Sequence, residues 1–420
     1  MPDHNASAAF NTANPHALAT ILEASETRSI IAASDIFDIN GMKLWARNQP
    51  VSHDLQRKLM DRSLQKPLET CLMAEDGITP KRLKDALMML IDGEGVLTPL
   101  LRPHANALLT GVGDVRLHPV AQLLLSAVEA ARPASYHHAL HAMAMAGAIM
   151  DARRADRHAI ALAMTAGLLH DVGEMYISPE FGEADAANTL EVETYRQLVV
   201  HPHIGQLLLS QLTDYPKDVV RAVAEHHERL DGSGYPYRLT GDRLSELGKL
   251  LSATEEALAA LRIHGATLHH ASVALRVVPG EFDEHLAGPL AAAARVVAPL
   301  QARQSAEDLM HALSQLDFSL QGAMNRLTLM LPEQPSENLQ RAAQLCHHLL
   351  HKLRQGWNES GLWGPSAIGI DQIGEAEAVQ DALRSRLAQI ERMARLAAGS
   401  LSADEQDSLD AFCAALVMDD

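Results

Sequence analysis

One stretch limits the folds open to this chain more than any other: Ala224 to Pro236, AEHHERLDGSGYP, where an apolar helical run stops at two adjacent histidines and a glycine-rich turn follows at once. Val219, Val220 and Val223 repeat at helical spacing, so His226 and His227 fall on the last turn of a packed helix. Asp231, Gly232, Ser233, Gly234 and Pro236 are turn formers that permit positive φ and a close backbone approach to a ligand. Taken alone, the pair reads as a helix C-terminus whose histidines complement the dipole. What lies upstream decides whether it is more.

With 420 residues the chain is long enough for two or three domains, each with a sizeable core. Alanine, leucine and methionine are plentiful, aromatics are 4% and β-branched runs are short, so the fold class expected is mainly α. The formal charge of −18 argues against broad binding to DNA or RNA, which draws on Lys and Arg. An anionic small substrate would therefore need its positive field supplied locally, and bound metal ions are the obvious source. No uninterrupted apolar stretch reaches the ~18 residues of a membrane span. MPDHNASAAF lacks the basic and apolar regions of a secretory signal, so a cytoplasmic location is expected. Cys71, Cys346 and Cys413, odd in number and far apart, fit reduced thiols.

Residues 1–130 read as a structural or signal-input domain of α+β type. Asn40-Gly41 between SDIFDI and MKLWAR predicts a hairpin, hence a small β element. Helices are expected over 52–62, 81–91 and 120–131, with Pro50, Pro67, Pro80 and Pro119 as breakers or starts. Residues 299–420 repeat apolar positions at helical period over 303–331, 336–357 and 371–396, broken at Pro332, Pro335 and Pro365. They read as a helical bundle or dimerisation region. His347 and His351, with His348 between them, lack any accompanying carboxylate or cysteine pattern, and like His269-His270 they read as structure.

Chemistry is expected in between, over 131–298. His138, Ala142, Met145, Ala146 and Ile149 place His138 on the buried stripe of an amphipathic helix. A second helix from about Arg157 ends in His170-Asp171, an imidazole and a carboxylate that can ligate one metal while the second oxygen bridges to another. A third run, 192–212, holds His201-Pro202, and the fourth ends in His226-His227. The helix over 247–261 adds Glu255 and Glu256 among apolar neighbours. Four consecutive helices each bring a His to an apolar face or a helix end, and a carboxylate follows on the fifth.

This succession, closed by Asp231-Gly232-Ser233-Gly234-Tyr235-Pro236, resembles the HD-GYP family of HD-domain metal-dependent phosphohydrolases over about residues 130–295, including Phe282-Asp283. The resemblance implies an HD-domain helical bundle around two divalent ions, commonly iron or manganese. It implies a phosphodiesterase that opens cyclic di-GMP to linear pGpG or GMP by an in-line attack of a metal-bridging hydroxide. Carried over, His138, His170, Asp171, His201, His226 and His227 would be metal ligands, with Asp171 the bridge and His170 and Asp171 at the catalytic centre. Glu255 would stand where the family has an Asp. Asp231, Gly234, Tyr235 and Pro236 would face the substrate. Tyr235 reads equally as a packed turn residue or a contact for a protein partner. Three positions depart from the family pattern. Glu174 replaces the lysine of HD-x-G-K, Ala134 stands where members with a third metal carry Glu, and ALAALRIHG (Ala257 to Gly265) replaces a run of substrate contacts. These departures keep open an alternative: a catalytically weak regulatory member that binds nucleotide or a protein partner through the GYP face. The metal, the end product, the signal sensed by residues 1–130, the effect of Glu174 and Glu255 and the oligomeric state, a homodimer included, are open at this stage.

Overall fold

Proline and short capping side chains start most of the helices. Asn14 accepts from the amides of His16 and Ala17 to open α1 (Pro15–Ser25), and Asp156 accepts from Ala159 to open α9 (Arg157–Leu169). The computed structural model describes residues 10–179, 192–332, 335–362 and 372–416, so the expected break at Pro365 lies outside the described residues. Contacts gather the chain into two compact units, Met1–Arg229 with Gly234–Glu255, and Leu230–Ser233 with Glu256–Asp420. The three-part division expected from sequence patterning stays our proposal for its modules. Contacts divide the chain differently because α14 (Leu268–Ala274) packs with a C-terminal helix and α15 (Glu284–Ala294) packs with α14.

In the first unit, β1 (Ile30–Ala32) pairs antiparallel with β4 (Leu72–Ala74), and β2 (Ile36–Phe37) with β3 (Lys43–Trp45). The β2–β3 hairpin is the one expected around Asn40-Gly41, with Gly41 at φ 81°. Its loop is longer than two residues because the Asp38 carboxylate draws in the amides of Asn40 and Met42. The pairing of β1 with β4 has no local turn signal, being a long-range contact. Short helices α2 (His53–Leu59), α3 (Leu68–Cys71), α4 (Pro80–Asp92), α5 (Thr98–Leu101) and α6 (Ala105–Gly111) lead into α7 (Pro119–Ala131) and α8 (Pro133–Ala152).

The sequence predicted an amphipathic α8. Instead Ala142 to Ile149 are all buried, because α4, α5, α6, α7 and α9 pack round the helix. Gly147 shows how closely: a Cβ there would lie 2.7 Å from Leu108 and Met164 side-chain carbons. The expected single run over 192–212 is two helices, α10 (Val192–Leu198) and α11 (His201–Leu212). Pro202, which has no amide hydrogen, sits near the start of α11, where a helix needs none. His201 is thus a helix-starting residue. It is followed by α12 (Lys217–Glu225), with His226 at its C-cap, and α13 (Glu246–Ala260).

The second unit adds α16 (Ala306–Met330), α17 (Glu337–Ser360), α18 (Ile373–Ala398) and α19 (Ala403–Ala414) to α14 and α15. Gly356 lets α17 approach the chain at Val277, where a Cβ would lie 2.3 Å from a carbonyl oxygen. On α18, buried Arg386 reaches Glu281 (Nε to Oε1 2.8 Å), Glu256 (Nη1 to Oε1 2.6 Å) and the Ala274 carbonyl. His270 serves in the capping box of α14, and the His347 and His351 rings lie parallel 6.4 Å apart. Removing one partner of a buried ion pair costs far more than the pair's net worth. Arg386→Leu is therefore expected to lower stability by about 3–5 kcal/mol, read as a fall in denaturation midpoint.

Candidate metal centre

Five segments bring their histidines and carboxylates together inside the first unit. The His138 Nε2 lies 3.1 Å from His170 Nε2 and 2.8 Å from Glu255 Oε2, and His170 Nε2 lies 3.2 Å from the same oxygen. His201 Nε2 and His226 Nε2 are 2.9 Å apart. Asp171 stands between these groups. Its Oδ2 is 2.9 Å from His170 Nε2 and 3.3 Å from His138 Nε2, while its Oδ1 is 3.3 Å from His226 Nε2 and 3.5 Å from His201 Nε2. Two ligand clusters result, His138/His170/Asp171/Glu255 and Asp171/His201/His226/His227, with donor atoms within 4.8 Å of one another in each.

Which nitrogen faces inward is fixed by the backbone. Nδ1 of His170, His201 and His226 donates to the carbonyl three residues earlier, those of Gly167 (2.8 Å), Leu198 (2.7 Å) and Val223 (2.6 Å). A carbonyl only accepts, so Nδ1 carries the hydrogen and Nε2 of the neutral ring is a bare lone pair. Two such lone pairs 2.9 Å apart repel unless a positive charge lies between them. The Asp171 Oδ1, buried at the same place, accepts no hydrogen bond. Both observations fit a cation. Nitrogen with carboxylate oxygen and no thiolate is a donor set for borderline divalent metals.

The electrostatics have the same sense. Burial lowers His138, but the Glu255 and Asp171 carboxylates more than offset it and raise the imidazole to about 9. Burial lowers His170 too, but the Asp171 and Glu255 carboxylates together outweigh it and raise the ring well above its ordinary value. Burial acts to raise Asp171, yet the His170 charge and the hydrogen bonds of His138 and His170 to its Oδ2 hold it well below the usual carboxylate range. His226 is pressed down to about 3 by burial and then by His227.

Glu255 reaches the cluster despite its extra methylene. The His227 ring stacks on Tyr235 at 4.5 Å and 19°, and the Tyr235 amide donates to the His227 carbonyl (3.0 Å). Tyr235 is buried, the packed-turn arrangement among those open from sequence. Gly234 is needed beside it, since a Cβ would lie 2.4 Å from the His227 carbonyl oxygen. The Tyr235-Pro236 peptide is cis. Asp231 belongs to the second unit, where its carboxylate accepts from the Ser233 amide and its carbonyl from His348 Nε2 (2.8 Å).

Two carboxylates that sequence reasoning gave no role organise the rim. Glu228 accepts from the amides of Tyr237 (2.6 Å) and Leu239 (2.8 Å), fixing the chain after the GYP turn. Glu225 accepts from Ser245 at the start of α13 and from Arg221. Neither has a local signal in the sequence, because the amides that satisfy them lie 9 to 20 residues further along the chain. Gly173, within the 3-10 helix Val172–Tyr176, is the tightest contact of the site. A Cβ there would lie 2.1 Å from the His201 carbonyl oxygen and 2.7 Å from the Gly205 nitrogen. Gly173→Ala must push this turn away from α11. Overpacking of this kind costs about 1–3 kcal/mol. The expected outcome is a lower melting temperature together with weakened metal uptake, measured by elemental analysis after dialysis.

Part of the chain is similar to known proteins. The HD domain family matches residues 122–281. A 3'3'-cGAMP-specific phosphodiesterase 3 of Vibrio cholerae serotype O1 is 30% identical over 105 residues, 24% of this chain and 22% of that protein. The cyclic di-GMP phosphodiesterase PA4108 of Pseudomonas aeruginosa is 29% identical over 149 residues, 35% of each chain. This chain thus spans about a fifth to a third of the curated relatives it matches. Among solved structures, Bd1817, an HDG"Y"P protein from Bdellovibrio bacteriovorus, aligns with a TM-score of 0.35 at 15% identity, covering 64% of this chain and 97% of that one. Residues 122–281 thus carry an HD domain, and a complete Gly234-Tyr235-Pro236 turn stands behind the histidine pair within it.

Proposed function

We propose that this protein is a metal-dependent phosphodiesterase that hydrolyses cyclic di-GMP to linear pGpG, GMP or both. The observation that carries the reading is the pair of buried ligand clusters sharing Asp171. His138, His170, Asp171 and Glu255 would hold one divalent ion, and Asp171, His201, His226 and His227 the other, with iron or manganese the metals of choice. Two such ions supply positive charge to a phosphodiester and make water acidic enough to attack it at neutral pH. The chain's own residues do the rest. Asp171 and His170 form the reactive centre, with His170 Nδ1 held by the Gly167 carbonyl so that Nε2 faces the cluster. Tyr235, stacked on His227, closes the cluster on the turn side, and Gly234 and Pro236 would complete the substrate-facing turn. A cytoplasmic location and no nucleic-acid role accompany this reading, supported by the charge of −18 and by the lack, among the described residues, of a helix long and apolar enough to cross a membrane.

A second reading, a weakly catalytic regulator that binds nucleotide or a protein partner through the GYP face, draws support from Glu174. This acid is 3% exposed and lies three residues from Asp171, where a lysine would attract phosphate. A homodimer through the C-terminal helices is compatible with either, and exposed Phe318 and Leu329 on α16 support it. Turnover separates the two. Protein loaded with Fe²⁺ or Mn²⁺ is expected to release pGpG or GMP from cyclic di-GMP and to stop on chelation. Asp171→Ala should lower kcat/KM about a thousandfold, ~4 kcal/mol of barrier. Loaded protein that binds the nucleotide and leaves it uncleaved favours the regulator.

A further inference from the structure

The 3-10 helix that follows Asp171 is held from its far side by the N-terminal segment of the same unit. Tyr176, buried at its end, donates its phenol hydroxyl to Glu69 Oε1 (2.7 Å) on α3. The Asn14 side-chain amide, at the cap of α1, donates to the Tyr176 carbonyl (3.2 Å), and Phe10 meets the Tyr176 ring edge-on at 5.7 Å. Arg132, at the junction of α7 and α8, forks between the two parts. Its Nη2 donates to Thr20 Oγ1 on α1 (2.7 Å), and its Nη1 to the Glu174 carbonyl (3.2 Å).

On the other side Gly173 lies against the His201 carbonyl and Gly205 with no room for a methyl group. Every residue from Val172 to Tyr176 is buried. Five residues are therefore clamped between the N-terminal helices and the start of α11, and the residue before them is Asp171, common to both ligand clusters. A buried, hydrogen-bonded turn has few alternative positions, so a shift at Tyr176 is passed along the backbone to the carboxylate.

We infer that Tyr176 and Arg132 are positioning residues for the His170–Asp171 pair, through which the N-terminal segment, by way of Glu69 and Thr20, sets the metal affinity of the centre. The inference rests on the metal centre proposed above, and the test separates the two. Mn²⁺ is titrated calorimetrically into the metal-free full chain, alongside thermal unfolding. Tyr176→Phe is expected to weaken binding about tenfold, the lower end of what losing a group that orients a ligand costs, here through the turn that carries Asp171. Thr20→Val, which removes the acceptor of Arg132 without touching the turn, should shift affinity in the same direction. Glu69→Gln, whose amide oxygen still accepts from the phenol, should bind like the wild type. Ser126→Ala removes a buried hydroxyl that accepts from the Ile78 amide (2.8 Å) in the same unit. It should lower the melting temperature and leave affinity unchanged. Unchanged affinity in both Tyr176→Phe and Thr20→Val overturns the inference, as does an equal loss in Ser126→Ala. Wild-type protein that takes up no Mn²⁺ overturns the metal centre itself.

Discussion

A single carboxylate holds the site's logic together. Asp171 directs one oxygen toward His138 and His170 and the other toward His201 and His226, so two nitrogen pairs from four helices converge on one side chain. Burying an anion without neighbours is prohibitive, and this anion is tolerated because imidazoles surround it. The helices in turn have their positions specified by it. The 3-10 helix after Asp171 lies on α11, the start of α11 offers His201, and the end of α12 offers His226, so geometry around one residue fixes the relation of several elements.

Much of this was legible in the sequence because the information is local. The end of α12 could be read from three valines, two histidines and a glycine turn, and the convergence of His138, His170, His201 and His226 from their placement on successive helices. The two-helix break before His201 was missed, although Pro202 marks it, because apolar period runs on across the break. The all-round burial of α8 was missed for a different reason: alanine and glycine fit both an exposed and an enclosed helix, and only the neighbours packed round it decide.

Interactions between distant segments left weaker marks. Nothing near Glu69 announces Tyr176, and nothing near Arg386 announces Glu281; each is one polar residue whose partner lies about a hundred positions away. The carboxylates of Glu225 and Glu228 belong to the same class, since an acid at a helix end looks solvated until the loop that covers it is known. Glu255 illustrates the opposite limit. Its position was legible, but whether a longer side chain reaches His138 depends on α13 as a whole.

The bonds from His170, His201 and His226 to the carbonyls of Gly167, Leu198 and Val223 have a consequence of their own. The inward lone pairs are selected by main-chain atoms, which every amino acid possesses, so alanine scanning at 167, 198 and 223 is blind to their contribution. Part of the ligand chemistry is in this sense written in helix geometry: an ester in place of a peptide bond, which weakens a carbonyl as acceptor, would reach what no change of side chain can.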